Sequence, residues 1–152
     1  MHVQGAGFEG VARDVSSLAV GLIALMGIAL VATSSVAVEP GYPVAINIQN
    51  ASAKVGAKAV IMAKITIGDG FRVTDSYGHR LSGLSAPDDG VEIERRLVRG
   101  AVQDSSIVFA VVVTPKRAGT HSVSGLFRFS YHNGQELDIR SARFDATVTG
   151  TE

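Results

Sequence analysis

The stretch GTHSVSGLFRFSYHNGQELDIR, Gly119 to Arg140, decides the fold. Phe127, Phe129 and Tyr131 recur at a spacing of two, so an extended chain puts them on one face and Leu126, Arg128 and Ser130 on the other. Asn133-Gly134 supplies two residues that tolerate positive φ, which predicts a type I′ turn pairing LFRFSYH with QELDIR as an antiparallel hairpin. A period of two around a turn signal is the signature of a sheet.

The same alternation extends in both directions along the chain. In KAVIMAKITI, Ala59, Ile61, Ala63, Ile65 and Ile67 share one face, and Lys58, Lys64 and Thr66 the other. PVAINIQ does the same with Val44, Ile46 and Ile48. Further runs at GVEIERRLV, SSIVFAVVVTP and QELDIRSARFDATVTG are separated by Gly68-Asp69-Gly70, Pro87-Asp88-Asp89-Gly90 and Lys116-Arg117-Ala118-Gly119. IVFAVVVTP is apolar on both faces, as expected of a central strand with a covered outer face. Six to eight short strands in about 110 residues, with no helical pattern between them, predict an all-β immunoglobulin-like β-sandwich. It is expected over 53–150, after a linker and first strand at 39–52.

Upstream of it the composition changes. After a tail at 1–14, the 24 residues Val15 to Val38 carry no charge. As a helix they would extend roughly 36 Å, enough to cross a hydrocarbon layer of about 30 Å. Two readings fit. Leu18 to Ala32 also suits the apolar part of a secretory signal, with small residues at Ser35-Val36-Ala37 for cleavage. The leading MHVQGAGFEGVARD lacks the positive front end of such a signal, because Glu9 and Asp14 offset Arg13. The expectation is a retained transmembrane α-helix over 15–38, with Gly21, Ala24, Gly27 and Ala29 as a small-residue face for packing against another helix.

Composition excludes several chemistries. The 152 residues contain no Cys, which removes disulfides, thiolate metal sites and thiol catalysis together. Past Pro40 there are 13 Lys and Arg against 11 Asp and Glu, too small an excess to predict nucleic-acid binding. His79, His121 and His132 lack a tight ligand spacing, so no metal site is expected. GFEGVARD has neither the preceding strand nor the Lys-Ser/Thr ending of a phosphate loop, and no Gly-x-Ser-x-Gly elbow is present. No catalytic residue, cofactor or small-molecule substrate is predicted. Arg95, Arg96, Arg99, Lys116 and Arg117 make a candidate basic surface for anionic headgroups or an acidic partner; the alternative is a strand edge guarded by charge.

From KVGAKAVIMAKITIGDGFRVTD through GVEIERRLV and SSIVFAVVVTPKRAGTHSVSGLFRFSYHNGQEL to FDATVTG, roughly Ala53 to Gly150, the chain resembles the periplasmic amino-terminal domain of the thiol-disulfide reductase DsbD and its relatives. The resemblance implies an immunoglobulin-like fold and an extracytoplasmic location. In that family the hairpin after the aromatic strand carries an electron-passing cysteine pair. Here His132 and Leu137 stand near the aligned positions, so the resemblance implies a domain kept for docking rather than for reduction. Tyr131, His132, Asn133, Gly134 and Gln135 are its candidate docking hairpin.

The chain is therefore expected to be a non-enzymatic accessory or structural subunit. It would be single-pass in the inner membrane, with its carboxy-terminal domain in the periplasm, the lipid bilayer around its helix and a larger integral membrane complex as partner. Small one-helix subunits are frequent in respiratory and photosynthetic electron-transport assemblies, which makes these a reasonable host by association. The alternatives are a periplasmic binding module of thiol-redox or metal delivery pathways and, third, a subunit of an extracellular filament.

Overall fold

A computed structural model describes residues 43–152 in full and the backbone of Ser34–Val38. The strands are β1 (Ser34–Val38), β2 (Val44–Gln49), β3 (Ala51–Lys54), β4 (Ala59–Ile67), β5 (Arg72–Val73), β6 (Arg80–Ser85), β7 (Val91–Ile93), β8 (Val98–Arg99), β9 (Ala101–Gln103), β10 (Ser106–Pro115), β11 (Gly119–His132) and β12 (Leu137–Thr151). They form two sheets. Sheet A runs β1-β2-β4-β10-β7, with β9 also on β10; sheet B runs β3-β12-β11-β6-β8, with β5 also on β11. The order β2-β4-β10-β7 against β12-β11-β6 is the A-B-E-D and G-F-C order of an immunoglobulin-like sandwich. β3 runs parallel to β12, whereas the other pairings described are antiparallel.

The core follows from the alternation. Ile61, Ala63, Ile65 and Ile67 of β4 are buried, as are Phe127, Phe129 and Tyr131 of β11, while Lys58, Lys64 and Arg128 face out. An immunoglobulin disulfide would join the sheets between the strands equivalent to β4 and β11. Aromatic packing joins them here: Phe109 of β10 lies 5.1 Å, centroid to centroid, from Phe127, which meets Phe144 of β12 edge-on at 5.5 Å. Burying each such ring is worth about 3 kcal/mol, with roughly 1 kcal/mol more from the ring geometry. No buried side-chain nitrogen or oxygen among the described residues lacks a hydrogen-bond partner.

Four expectations change. The uncharged segment lies outside the described residues except for its last five positions, Ser34–Val38, which form β1 on the edge of β2 and are not helical. The sandwich starts before Ala53, because β2 and β3 belong to its two sheets. GVEIERRLV is not one strand: β7 leaves β10 after Ile93, and β8 joins β6 in the other sheet, so Glu94 to Leu97 turn the corner between layers. The β11–β12 hairpin forms, but His132 pairs with Leu137, leaving a four-residue loop in place of a two-residue turn. Only Gly134 there has positive φ. The Asn133 side chain accepts the N–H groups of Gln135 and Glu136 at 2.9 and 2.8 Å, which closes the loop without a left-handed Asn.

β10 is central, as expected, yet its outer face is only half covered: Val108 and Val112 are partly buried and Ala110 is exposed. Among the described residues no helix is long and apolar enough to cross a membrane.

Candidate functional site

The candidate hairpin is a hydrogen-bonded, exposed tip on a buried base. Tyr131 sits at the base, 3% exposed, and its hydroxyl donates to Asp138 at 3.3 Å. Burial pushes its phenol above the usual range. Arg140 binds the same Asp138 carboxylate at 2.7 Å. At the tip the Gly134 N–H donates to His132 Nδ1 at 3.2 Å, and Gln135 is exposed. The hairpin therefore presents Asn133 to Glu136 and, beside them, Leu137 and Ile139, which are 58% and 47% exposed.

Of the five predicted basic residues, Arg95 and Arg99 line one surface depression and Arg96 and Lys116 line another. Lys116 is ion-paired with Glu92 and Arg117 with Asp89, which neutralises both at the β7 end of sheet A. Arg95 and Arg96 ride on the corner between β7 and β8. Arg99 alone joins a larger basic array. On β8 it stands directly opposite Arg80 of β6, which stands directly opposite Arg128 of β11. Register puts these three in one row of sheet B, spanning about 10 Å across three strands, with Arg99 at the sheet's edge, where it also borders Ala110 and Val112 of β10. Arg72, opposite His132, and Arg143, opposite Leu126, share the face of Arg128. Arg80 donates to the Gly78 carbonyl at 3.3 Å, and Arg143 lies 3.9 Å from Asp145.

Sequence reading missed Arg80 and Arg128. Alternation with Phe127 and Phe129 does place Arg128 outward, but only the pairing of β6 with β11 and β8 reveals the row.

The histidines lie in separate networks. His79 is 3% exposed, with Nε2 2.9 Å from the Thr74 carbonyl and Nδ1 accepting the Ser130 N–H at 3.4 Å. The carbonyl takes a ring N–H and the amide needs a ring lone pair, so this geometry holds one neutral tautomer. Ser130 Oγ completes the knot on Thr74 Oγ1 at 3.0 Å. Burial lowers the His79 pKa, opposed by the Thr74 carbonyl and the Asp75 charge. An unfolded imidazole takes its proton near pH 6.5, and the folded ring resists it. This contribution to stability is therefore complete above about pH 6.5 and falls as the pH drops below that. His79→Gln is expected to cost about 2 kcal/mol at pH 7. Urea titrations at pH 7 and pH 5 should show a smaller loss for the variant than for the native chain as the pH falls; equal losses would refute the assignment.

His121 packs at the opposite end of sheet B, with Nδ1 3.2 Å from Asp88 and Nε2 3.1 Å from the Arg117 carbonyl. The Gly90 N–H, donating at 2.7 Å, and then the His121 ring hold the Asp88 carboxyl below its usual range. Among the described residues no group of three or more His, Asp or Glu could hold a metal ion. Sheet A carries an apolar outer strip instead, with Val60 opposite Val112 and Met62 opposite Ala110. At the free edge of β10 between β7 and β9, Leu97, Val98, Arg95 and Arg99 line a shallow depression of about 490 Å³ with Ala110 and Val112. Gly21, Ala24, Gly27 and Ala29 lie outside the described residues.

No protein-family model matches the chain, and no curated protein matches it. Among solved structures it is similar to AggA, the major subunit of aggregative adherence fimbriae type I from Escherichia coli. That likeness has 15% identity, covers 72% of this chain and 95% of that one, and has a TM-score of 0.39. It is also similar to PapD-like domain 7 of human CEP192, with 11% identity over 84% of this chain and 97% of that one and a TM-score of 0.34.

Proposed function

We propose that this chain is a non-catalytic, membrane-anchored accessory subunit. Its uncharged amino-terminal segment spans the bilayer beside a larger integral membrane complex, and its sandwich forms a docking surface on the periplasmic side. The observation that carries this reading is where β1 comes from. β1 is built from Ser34 to Val38, the end of the uncharged segment itself, and pairs along β2 from Ser34 opposite Gln49 to Val38 opposite Ala45. Cleavage after Ala37 would remove four of its five residues and leave β2 as an open sheet edge, a template for aggregation. The strand thus favours retention of the segment.

With β1 subtracted, Val15 to Thr33 still provide 19 uncharged residues. That corresponds to about 28 Å of helix, within the range of a membrane span. Intact mass and alkaline extraction of native membranes test the reading together. A chain that keeps Met1 to Ala37, resists extraction and migrates in mild detergent with a larger assembly is the expected result. A soluble chain beginning near Val38 would overturn it.

A further inference from the structure

The outer face of sheet B breaks a local rule of sheet design. Like charges directly opposite one another on adjacent strands are destabilising, yet Arg128, Arg80 and Arg99 occupy consecutive places in one row. Among the described residues Arg99 and Arg128 make no ion pair, and Arg80 reaches only the Gly78 carbonyl. With Arg72 and Arg143 the face holds five arginines, and the carboxylate paired there is Asp145, with Arg143. Elsewhere among the described residues Lys58, Lys116, Arg117 and Arg140 are ion-paired, with Glu94, Glu92, Asp89 and Asp138, whereas Lys54, Lys64, Arg95 and Arg96 stand singly rather than in a row of like charges. An uncompensated departure from a local rule marks a functional surface.

We infer that this face docks on anionic lipid headgroups. Three observations select lipid over other polyanions. Leu126, Leu137 and Ile139 project among the arginines, 45%, 58% and 47% exposed, and suit the boundary between headgroups and acyl chains. The strands paired across the face place no Phe or Tyr outward, so it lacks the stacking platform that single-stranded nucleic acids use. In the sequence the uncharged segment runs directly into the residues of β1, so a segment retained in a bilayer, as proposed above, would tether the sandwich to it. That last point rests on the anchored reading above; the charge and the exposed leucines do not.

The full chain contains no Cys, so a single introduced thiol reports alone. Ser141→Cys places a polarity-sensitive fluorophore on the basic face, opposite Arg128, and Met62→Cys places it on the outer face of sheet A. Each labelled chain is incubated with phosphatidylcholine vesicles or with vesicles that also contain phosphatidylglycerol, at low and high salt, and then floated. The expected result is a blue shift at position 141 with phosphatidylglycerol only, reversed by salt, and none at position 62. Arg80→Gln with Arg128→Gln, which relieves repulsion and leaves the fold intact by circular dichroism, should lower the docked-to-undocked ratio about 30-fold.

No shift at position 141 with phosphatidylglycerol, or an equal shift at position 62, overturns the inference. A shift produced by soluble polyglutamate but not by vesicles also overturns it, in favour of an acidic protein. Flotation separates this from the anchored reading. A chain that floats at high salt with both vesicle types but shows no shift is anchored without docking. One that floats only with phosphatidylglycerol at low salt docks without an anchor.

Discussion

Phe127→Ala should lower the unfolding free energy by about 4 kcal/mol, within the range for emptying a buried Phe site. The ring is fully buried and touches Phe109 from the facing sheet and Phe144 from the neighbouring strand. Truncation therefore removes contacts in both directions, on a strand that in antibody domains carries one end of the inter-sheet disulfide, and this chain, which has no Cys, has no such link to hold the layers. The cavity cannot close easily, because Phe109 and Phe144 stand on strands of different sheets, each held by hydrogen bonds within its own sheet. In thermal unfolding the midpoint should fall by the order of 15 °C. Phe127→Leu should recover more than half of the loss. A cost below 1 kcal/mol for the Ala variant would mean that the sheets are held together elsewhere.

Gly90→Ala should cost about 3 kcal/mol, although it adds one methyl group to a loop. A Cβ at Gly90 would lie 2.0 Å from Cε1 and 2.1 Å from Nδ1 of His121. The ring cannot retreat cheaply, since it is held between Asp88 and the Arg117 carbonyl. Nor can the loop, since the Gly90 carbonyl accepts the Lys116 N–H at 2.7 Å and its N–H binds Asp88. The double variant with His121→Ala tests the cause: with the ring gone, the added methyl should cost less than 1 kcal/mol, a coupling of about 2 kcal/mol. Additive costs would rule out the clash.

Much of the architecture was legible because it depends on a period of two. Ile61, Ile65, Phe127 and Phe129 announce which way β4 and β11 face, and the Asn133-Gly134 signal locates the hairpin. The loop type was not legible, because it turned on whether the Asn133 backbone or its side chain would close the turn, and both are consistent with the sequence. GVEIERRLV reads as one strand because nothing local marks Glu94 to Leu97 as a corner; the layer change is imposed by β6, which β8 meets in the other sheet.

The candidate site was less legible for the same reason. Arg95, Arg96 and Arg99 look like a cluster because they are close in sequence, yet the array is made by Arg80, Arg99 and Arg128, which meet only through non-local pairing. The loss of Lys116 and Arg117 to Glu92 and Asp89 likewise depends on β7 lying beside β10. His79 illustrates the opposite limit: a histidine at a turn is unremarkable until Ser130, on another strand, supplies the second half of its network.

The parallel pairing of Ala51–Lys54 with Val148–Thr151 has a consequence for biosynthesis. A ribosome delivers β3 early and must make the intervening residues before its partner strand exists. At the end of that interval β11 also waits for β12, so the nascent chain carries Phe127 without the Phe144 side of its packing. Chaperone binding during translation should therefore concentrate on this window and cease once Thr151 has cleared the exit tunnel.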